Sequence, residues 1–169
     1  AELVVLALRG RGLPQAEARA RCWFVDSGGL VTAQRQGLAV HKRPFAHQAP
    51  PAADLLGAIR QLRPTALLGL SAQAGAFTEP VLRALAEGAE RPIVFALSNP
   101  TSKAECSAAQ AYAWTDGRAV FASGSPFDPV TLPDGRRFRP GQGNNAYIFP
   151  GLGLGVLASG ARRGSEAMF

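Results

Sequence analysis

An α/β fold with a mostly parallel, doubly wound sheet is predicted by three features of this 169-residue chain. Residues 66–70 and 92–97 are uniformly apolar runs of strand length, the composition of strands covered on both faces. Each run ends in small polar residues and is followed by a helical pattern. Strand and helix then alternate through residue 122 at the spacing of βαβ units.

The chain opens on Glu2-Leu3-Val4-Val5-Leu6-Ala7-Leu8, apolar and without an N-cap residue or a preceding strand, which reads as the middle of a helix. Gly10-Arg11-Gly12 ends it, and Pro14 fits the first turn of a short helix through Ala20. Residues 21–25 read as a strand ending at Asp26. Residues 27–50 show little periodicity and form a long connection, with one short strand near Leu30 and Val31. A helix runs from Asp54 through Leu62, with Leu55, Leu56 and Ile59 apolar, and Arg63-Pro64 closes it. After the strand at 66–70, a helix over 77–86 turns Val81, Leu82 and Leu85 inward. Residues 93–97 are the next strand, 104–114 a helix and 119–122 a strand. Residues 130–132 and 136–138 flank Pro133-Asp134-Gly135 as a small appended hairpin. The apolar segment 147–158 is interrupted by Pro150 and by glycines.

Hydrophobic residues make up 47% of the chain and mean hydropathy is near zero, which fits a globular domain with a real core. No run approaches the roughly 18 apolar residues of a membrane-spanning helix. Cys22 and Cys106 have no paired spacing and read as two reduced thiols, and His41 and His47 are too few and too poorly spaced for zinc. The net charge of +6 raises nucleic-acid binding as a class. Against it, the cations are scattered with no run longer than two, and all but Lys42 and Lys103 are arginine. The expectation is no nucleic acid and no membrane partner.

Several residues have the types that ligand chemistry uses. Asp26 ends a strand and precedes Ser27-Gly28-Gly29, where a dinucleotide fold places an acid for the adenosine ribose; a turn-forming Asp is the plain alternative. The small residues of Gly69-Leu70-Ser71-Ala72-Gln73-Ala74-Gly75 follow a buried strand and allow backbone to approach a ligand, or form an ordinary strand-to-helix turn. Asn99, in Ser98-Asn99-Pro100-Thr101, lies at the carboxyl edge of the sheet, where open α/β sheets bind ligands. Its carboxamide both donates and accepts, although Asn-Pro also initiates turns. Asn144 and Asn145 stand in a second amide-bearing turn, Gly141-Gln142-Gly143-Asn144-Asn145, with the same two readings.

Taken with Phe121-Ala122-Ser123-Gly124-Ser125-Pro126-Phe127-Asp128, these segments resemble the cofactor domain of malic enzyme, from the first residue to about Arg163. The resemblance implies a Rossmann-like sheet, here one partial NAD(P)-binding domain over 1–169 that lacks its glycine-rich loop and first strand. It also implies that such a piece is inactive and poorly folded by itself, and leaves the compartment open among cytoplasm, chloroplast and mitochondrion.

The implied activity is NAD(P)-dependent oxidative decarboxylation of (S)-malate to pyruvate and carbon dioxide in a homo-oligomeric parent, dimer or tetramer. The family pattern assigns Asp26, Ser27 and Lys42 to the adenosine end of the cofactor, with Lys42 accompanying NADP where NAD-linked members carry an uncharged residue. It places Gly69, Ser71, Ala72 and Asn99 beside the nicotinamide, and Asn99, Asn144 and Asn145 on the substrate. The magnesium or manganese ligands and the Lys and Tyr catalytic pair lie in upstream segments, so no catalytic or metal residue is assigned within this chain. Lys103, Tyr112 and Tyr147 are read as structural. The rivals are a cofactor-binding module without catalysis and a basic nucleic-acid-binding domain.

Overall fold

The computed structural model describes residues 1–163. The chain divides into two compact units, Ala1–Arg63 and Pro64–Phe169.

In the first unit, α1 (Glu2–Gly10) and α2 (Gln15–Ala20) pack on one another, with Pro14 as the residue ahead of α2. Val5, Ala18 and Phe45 form the buried centre, with Leu8, Leu13, Cys22 and Phe24 against it. The strand expected over 21–25 shrinks to β1 (Val25–Asp26), which pairs antiparallel with β2 (Gly29–Leu30). Local forces explain the difference. Phe24 packs edge-on against Phe45 at 5.0 Å and Trp23 against His47 at 4.5 Å, while Gly29, at φ +88°, closes a tight turn through Ser27 and Gly28. A 3-10 turn, Val40–Phe45, stands in the long connection. Asp54 is the N-cap of α3 (Leu55–Leu62), its Oδ1 accepting from the Gly57 amide at 2.7 Å.

The second unit carries a parallel four-stranded sheet. The strands β3 (Ala66–Gly69), β4 (Ile93–Ala96) and β5 (Val120–Ser123) alternate with α4 (Glu79–Gly88) and α5 (Ala108–Trp114). Hairpin strands β6 (Val130–Thr131) and β7 (Arg137–Phe138) follow, then β8 (Gly141–Gln142), which the sequence did not reveal. The sheet order is β3-β4-β5-β8, all pairs parallel. The Rossmann-like α/β expectation therefore holds, with the hairpin inserted between β5 and β8.

Both-face burial does not hold for β3. Val94, Ala96, Phe121 and Ser123 are buried on one face of the sheet, whereas Leu68, pointing to the other, is 46% exposed. The helices account for this asymmetry, since α4 and α5 pack on each other and α5 on β5. Arg118 fastens the end of α4, its Nη1 donating to the carbonyls of Ala86 and Ala89 at 3.0 and 3.2 Å. Tyr112 stacks on Phe138 at 4.5 Å and meets Phe121 at 5.8 Å, tying the hairpin to helix and sheet.

Two helices differ from expectation, each through the chemistry of its first turn. Residues 104–107 stay outside α5, because Ser107 makes a full capping box with Gln110 and starts the helix at Ala108. Pro150 does not interrupt the apolar C-terminal segment; it occupies the first turn of α6 (Phe149–Ser159), where its missing N–H is harmless. No helix among the described residues is long and apolar enough to cross a membrane.

The cap at Ser107 is directly measurable. Ser107→Ala removes the hydroxyl that accepts from the Gln110 amide and leaves the residue-107 amide to the Gln110 side chain, and an unfolding titration of the full-length protein should lose about 1 kcal/mol from the transition that includes this unit. An unchanged transition would show that α5 is held by packing alone.

Candidate functional site

The sequence-assigned residues fall into two groups, one in each unit. The first is built on the β1–β2 turn. Asp26 accepts from Lys42 Nζ through Oδ2 at 2.5 Å and from Arg35 Nη1 through Oδ1 at 2.9 Å, and its Oδ1 also takes the Gly28 amide at 2.9 Å. Arg35 reaches back to the Gly29 carbonyl at 3.1 Å, fixing the turn from both ends. The Lys42 ammonium, helped by the Arg35 guanidinium and the Gly28 amide, holds the Asp26 carboxyl well below the usual carboxylate range against burial, which pushes the other way more strongly than either helper's hydrogen bond lowers it. A depressed carboxyl stabilises the fold fully above its ordinary value of 3.8, and that contribution is lost as pH falls from there through the depressed value. The triad is intact at neutral pH.

Ser27 is exposed beside the triad. Arg35 is the residue that sequence reasoning missed. Its only signal was a cation in a loop whose acid, Asp26, already had a role.

The second group lies where β3, β4 and β5 end. Gly69, Ala96 and Ser123 pair across the sheet, so the three chains leave it at one level. At Gly69 a Cβ would come within 2.6 Å of both Cγ and Oε2 of Glu105. At Gly124 it would come within 2.7 Å of Asn99 Oδ1. Both glycines are there because loops crowd the edge. Ala72 adopts φ +54°, a left-handed conformation that side chains rarely take, and its amide donates to Ser98 Oγ at 2.9 Å. Ser98 in turn donates its hydroxyl to Glu105 Oε1 and its amide to Oε2 at 3.4 Å.

Asn99 is exposed, and the peptide linking it to Pro100 is cis. Its Oδ1 accepts from Ser125 Oγ at 2.8 Å, and its Nδ2 has no hydrogen-bond partner among the described residues. The Asn144 side chain is used within the fold: Nδ2 donates to the Gly124 carbonyl at 2.9 Å and Oδ1 accepts from the Ala146 amide at 2.9 Å. Asn145 is exposed, and Tyr147 is tethered through its hydroxyl to Gln142 Oε1 at 2.7 Å. Ser71 is exposed in the same loop as Ala72. Gly69, Ser71, Ala72, Asn99, Asn144 and Asn145 thus gather along one sheet edge. Ser98, Glu105 and Ser125, which hold this edge together, had no sequence assignment. A single carboxyl among small and apolar residues just before Cys106 was the available signal.

Among the described residues, no group of three His, Cys, Asp or Glu side chains could hold a metal ion. The chain's described residues therefore do not supply a three-ligand site for a divalent cation. The two thiols are free; burial raises Cys22 above its ordinary value and pushes Cys106 up to about 12. At pH 8 the Cys106 thiolate is scarce, so native protein treated with iodoacetamide should show no label on its peptide, and full label after denaturation. Rapid native labelling of Cys106 would contradict its buried position.

The whole chain, residues 1–169, matches the family model described as malic enzyme, NAD binding domain. Over 169 residues it is 54% identical to NADP-dependent malic enzyme of Mus musculus and 53% identical to that of Homo sapiens, covering 100% of this chain and 30% of each relative. It is also 54% identical to the mitochondrial NADP-dependent malic enzyme of Mus musculus, covering 28% of that relative. The chain thus spans about 30% of the length of the curated relatives it matches. With its parallel sheet and loops gathered at one carboxyl edge, this chain belongs to the malic enzyme NAD-binding domain family.

Proposed function

We propose that this chain binds NADP and orients (S)-malate in an enzyme that oxidises and decarboxylates it to pyruvate. The observation that carries the reading is the Asp26 triad. In an NAD site the acid offers free oxygens to the ribose hydroxyls. Here both Asp26 oxygens are engaged by cations, and one carboxylate against Lys42 and Arg35 leaves a net positive charge. Such a cluster suits a 2'-phosphate, which carries close to two negative charges. Lys42 has three donor hydrogens and directs one at Asp26, so donors remain for phosphate oxygens, and exposed Ser27 leaves room beside them. The names of the relatives point the same way.

Bound NADP supplies the hydride acceptor; the protein's part is positioning. In unit 2, Asn99 has its Oδ1 fixed by Ser125, which aims the remaining Nδ2 donors at a carboxylate or a carboxamide oxygen. Asn145 is exposed on the turn that Asn144 braces through Gly124, and it is assigned to the malate carboxylate. In this reading residues 1–169 act as one cofactor-binding domain of an oligomeric enzyme.

Two substitutions in the full-length protein test the assignment. Lys42→Gln should raise the KM for NADP about 10- to 100-fold, on the order of 1.4 to 2.7 kcal/mol, and barely change that for NAD. Equal losses with both cofactors would remove Lys42 from the phosphate site. Asn145→Ala should raise the KM for malate roughly tenfold while the dissociation constant for NADP stays near wild type. Unchanged malate kinetics in a folded variant would leave Asn145 as a turn former only.

A further inference from the structure

We propose that Glu105 is a positioning residue for this site: its buried carboxyl sets the loop after β3 and the Ser98-Asn99 step after β4 in their working geometry. The inference rests on the assignment of that sheet edge to nicotinamide and malate.

Glu105 is 1% exposed and has no cationic partner among the described residues. A buried carboxyl without a counter-ion is unfavourable, and it persists where its hydrogen bonds are fully used. Here they are directed at one residue, Ser98, through its amide and its hydroxyl. The Ser98 hydroxyl, having given its one hydrogen to Glu105, turns a lone pair to the Ala72 amide at 2.9 Å. Ala72 is in the left-handed region, a conformation costing about 1 kcal/mol for a residue with a side chain. The backbone of Glu105 joins in, since its carbonyl accepts from Phe77 N at 3.0 Å, while the neighbouring Ala104 carbonyl accepts from Gly75 N at 3.1 Å. The same side chain lies against Gly69, where any Cβ would collide with it.

Residues 69, 72, 75 and 77 are therefore fixed by one segment, and that segment also anchors the residue preceding Asn99. Two features unfavourable in isolation, a buried carboxyl and a left-handed alanine, stabilise each other at one place, as strained and costly groups do where a binding site is held ready for its ligand. Nothing in the packing of α5 requires a carboxyl there: the helix starts at Ala108 under its own Ser107 cap.

The experiment uses the full-length protein and three variants, Glu105→Gln, Glu105→Ala and Ser98→Ala. Each is read by inhibition with 2',5'-ADP, which occupies only the adenosine end of the cofactor site, by malate and NADP kinetics, and by hydrogen exchange in the peptide spanning 70–77. Positioning predicts that Glu105→Ala lowers kcat/KM for malate about 100-fold, with the 2',5'-ADP inhibition constant within twofold of wild type. Glu105→Gln, which keeps one acceptor oxygen, should recover part of that loss. Exchange over 70–77 should quicken at least tenfold in Glu105→Ala and Ser98→Ala, with the β4 and α4 peptides unchanged.

Wild-type kinetics in folded Glu105→Ala, or losses equal for 2',5'-ADP and malate, would overturn the proposal. If Glu105→Ala does not fold, Glu105→Gln and Ser98→Ala decide it by the same contrast, and two variants indistinguishable from wild type would overturn it. A wild-type protein without malate-dependent NADP reduction would instead refute the assigned reaction. The exchange measurement would still decide whether Glu105 holds the loop.

Discussion

Parallel pairing in register is the constraint on which the second unit depends. Because Gly69, Ala96 and Ser123 lie opposite one another, three chains leave the sheet together and their turns must share one small volume. Crowding then dictates composition. Glycine at 69 and 124 is required by the nearness of Glu105 and of Asn99, serine at 98 and 125 supplies compact groups that bond sideways between turns, and Ser123 closes its own turn through the Ser125 carbonyl. Polar side chains converge there because parallel strands direct all their carboxyl ends the same way.

The two acidic residues that organise the chain solve opposite electrostatic problems. Asp26 is partly exposed, and two cations and an amide keep it charged across the physiological range. Its neighbourhood ends with a net positive charge, a property suited to selecting an anion. Glu105 is buried and, among the described residues, takes its hydrogen bonds from the neutral donors of Ser98, so it contributes geometry in place of field. The two networks share no residue. Under the proposed function, discrimination between cofactors and orientation of the reacting end would draw on separate groups, each inside its own unit.

Much of the sheet was legible because βαβ units write themselves in apolar runs. The strands at 66–70, 93–97 and 119–122 and the hairpin at 130–138 are all present within a residue or two. The misses have local causes. β8 is two residues of glycine and glutamine, with no apolar signal, and is a strand only because β5 offers an unpaired edge. The strand expected before Asp26 gave way to aromatic packing, and α6 tolerates three glycines and a proline because that proline stands in its first turn. At the site, residues with a recognisable pattern were found, and those whose role is to hold them were not. Arg35, Ser98 and Glu105 act through partners 5 to 26 positions away in sequence, a spacing that no local motif records.

The polarity of the hydrogen-bond chain at the sheet edge explains why residue 105 carries a carboxyl. The Ala72 amide is a donor and needs an acceptor, which Ser98 Oγ provides only if its own hydrogen points elsewhere. The two carboxyl oxygens of Glu105 both accept, Oε1 from that hydroxyl and Oε2 from the Ser98 amide, which leaves the hydroxyl one arrangement. A carboxamide at 105 would set an N–H against one of these donors, and an apolar residue would free the hydroxyl to rotate toward other acceptors. Either change loosens the side chain that holds the Ala72 amide. Direction then propagates: a fixed acceptor at Glu105 fixes Ser98, Ser98 fixes the left-handed turn at Ala72, and the backbone that follows Gly69 is held in one conformation.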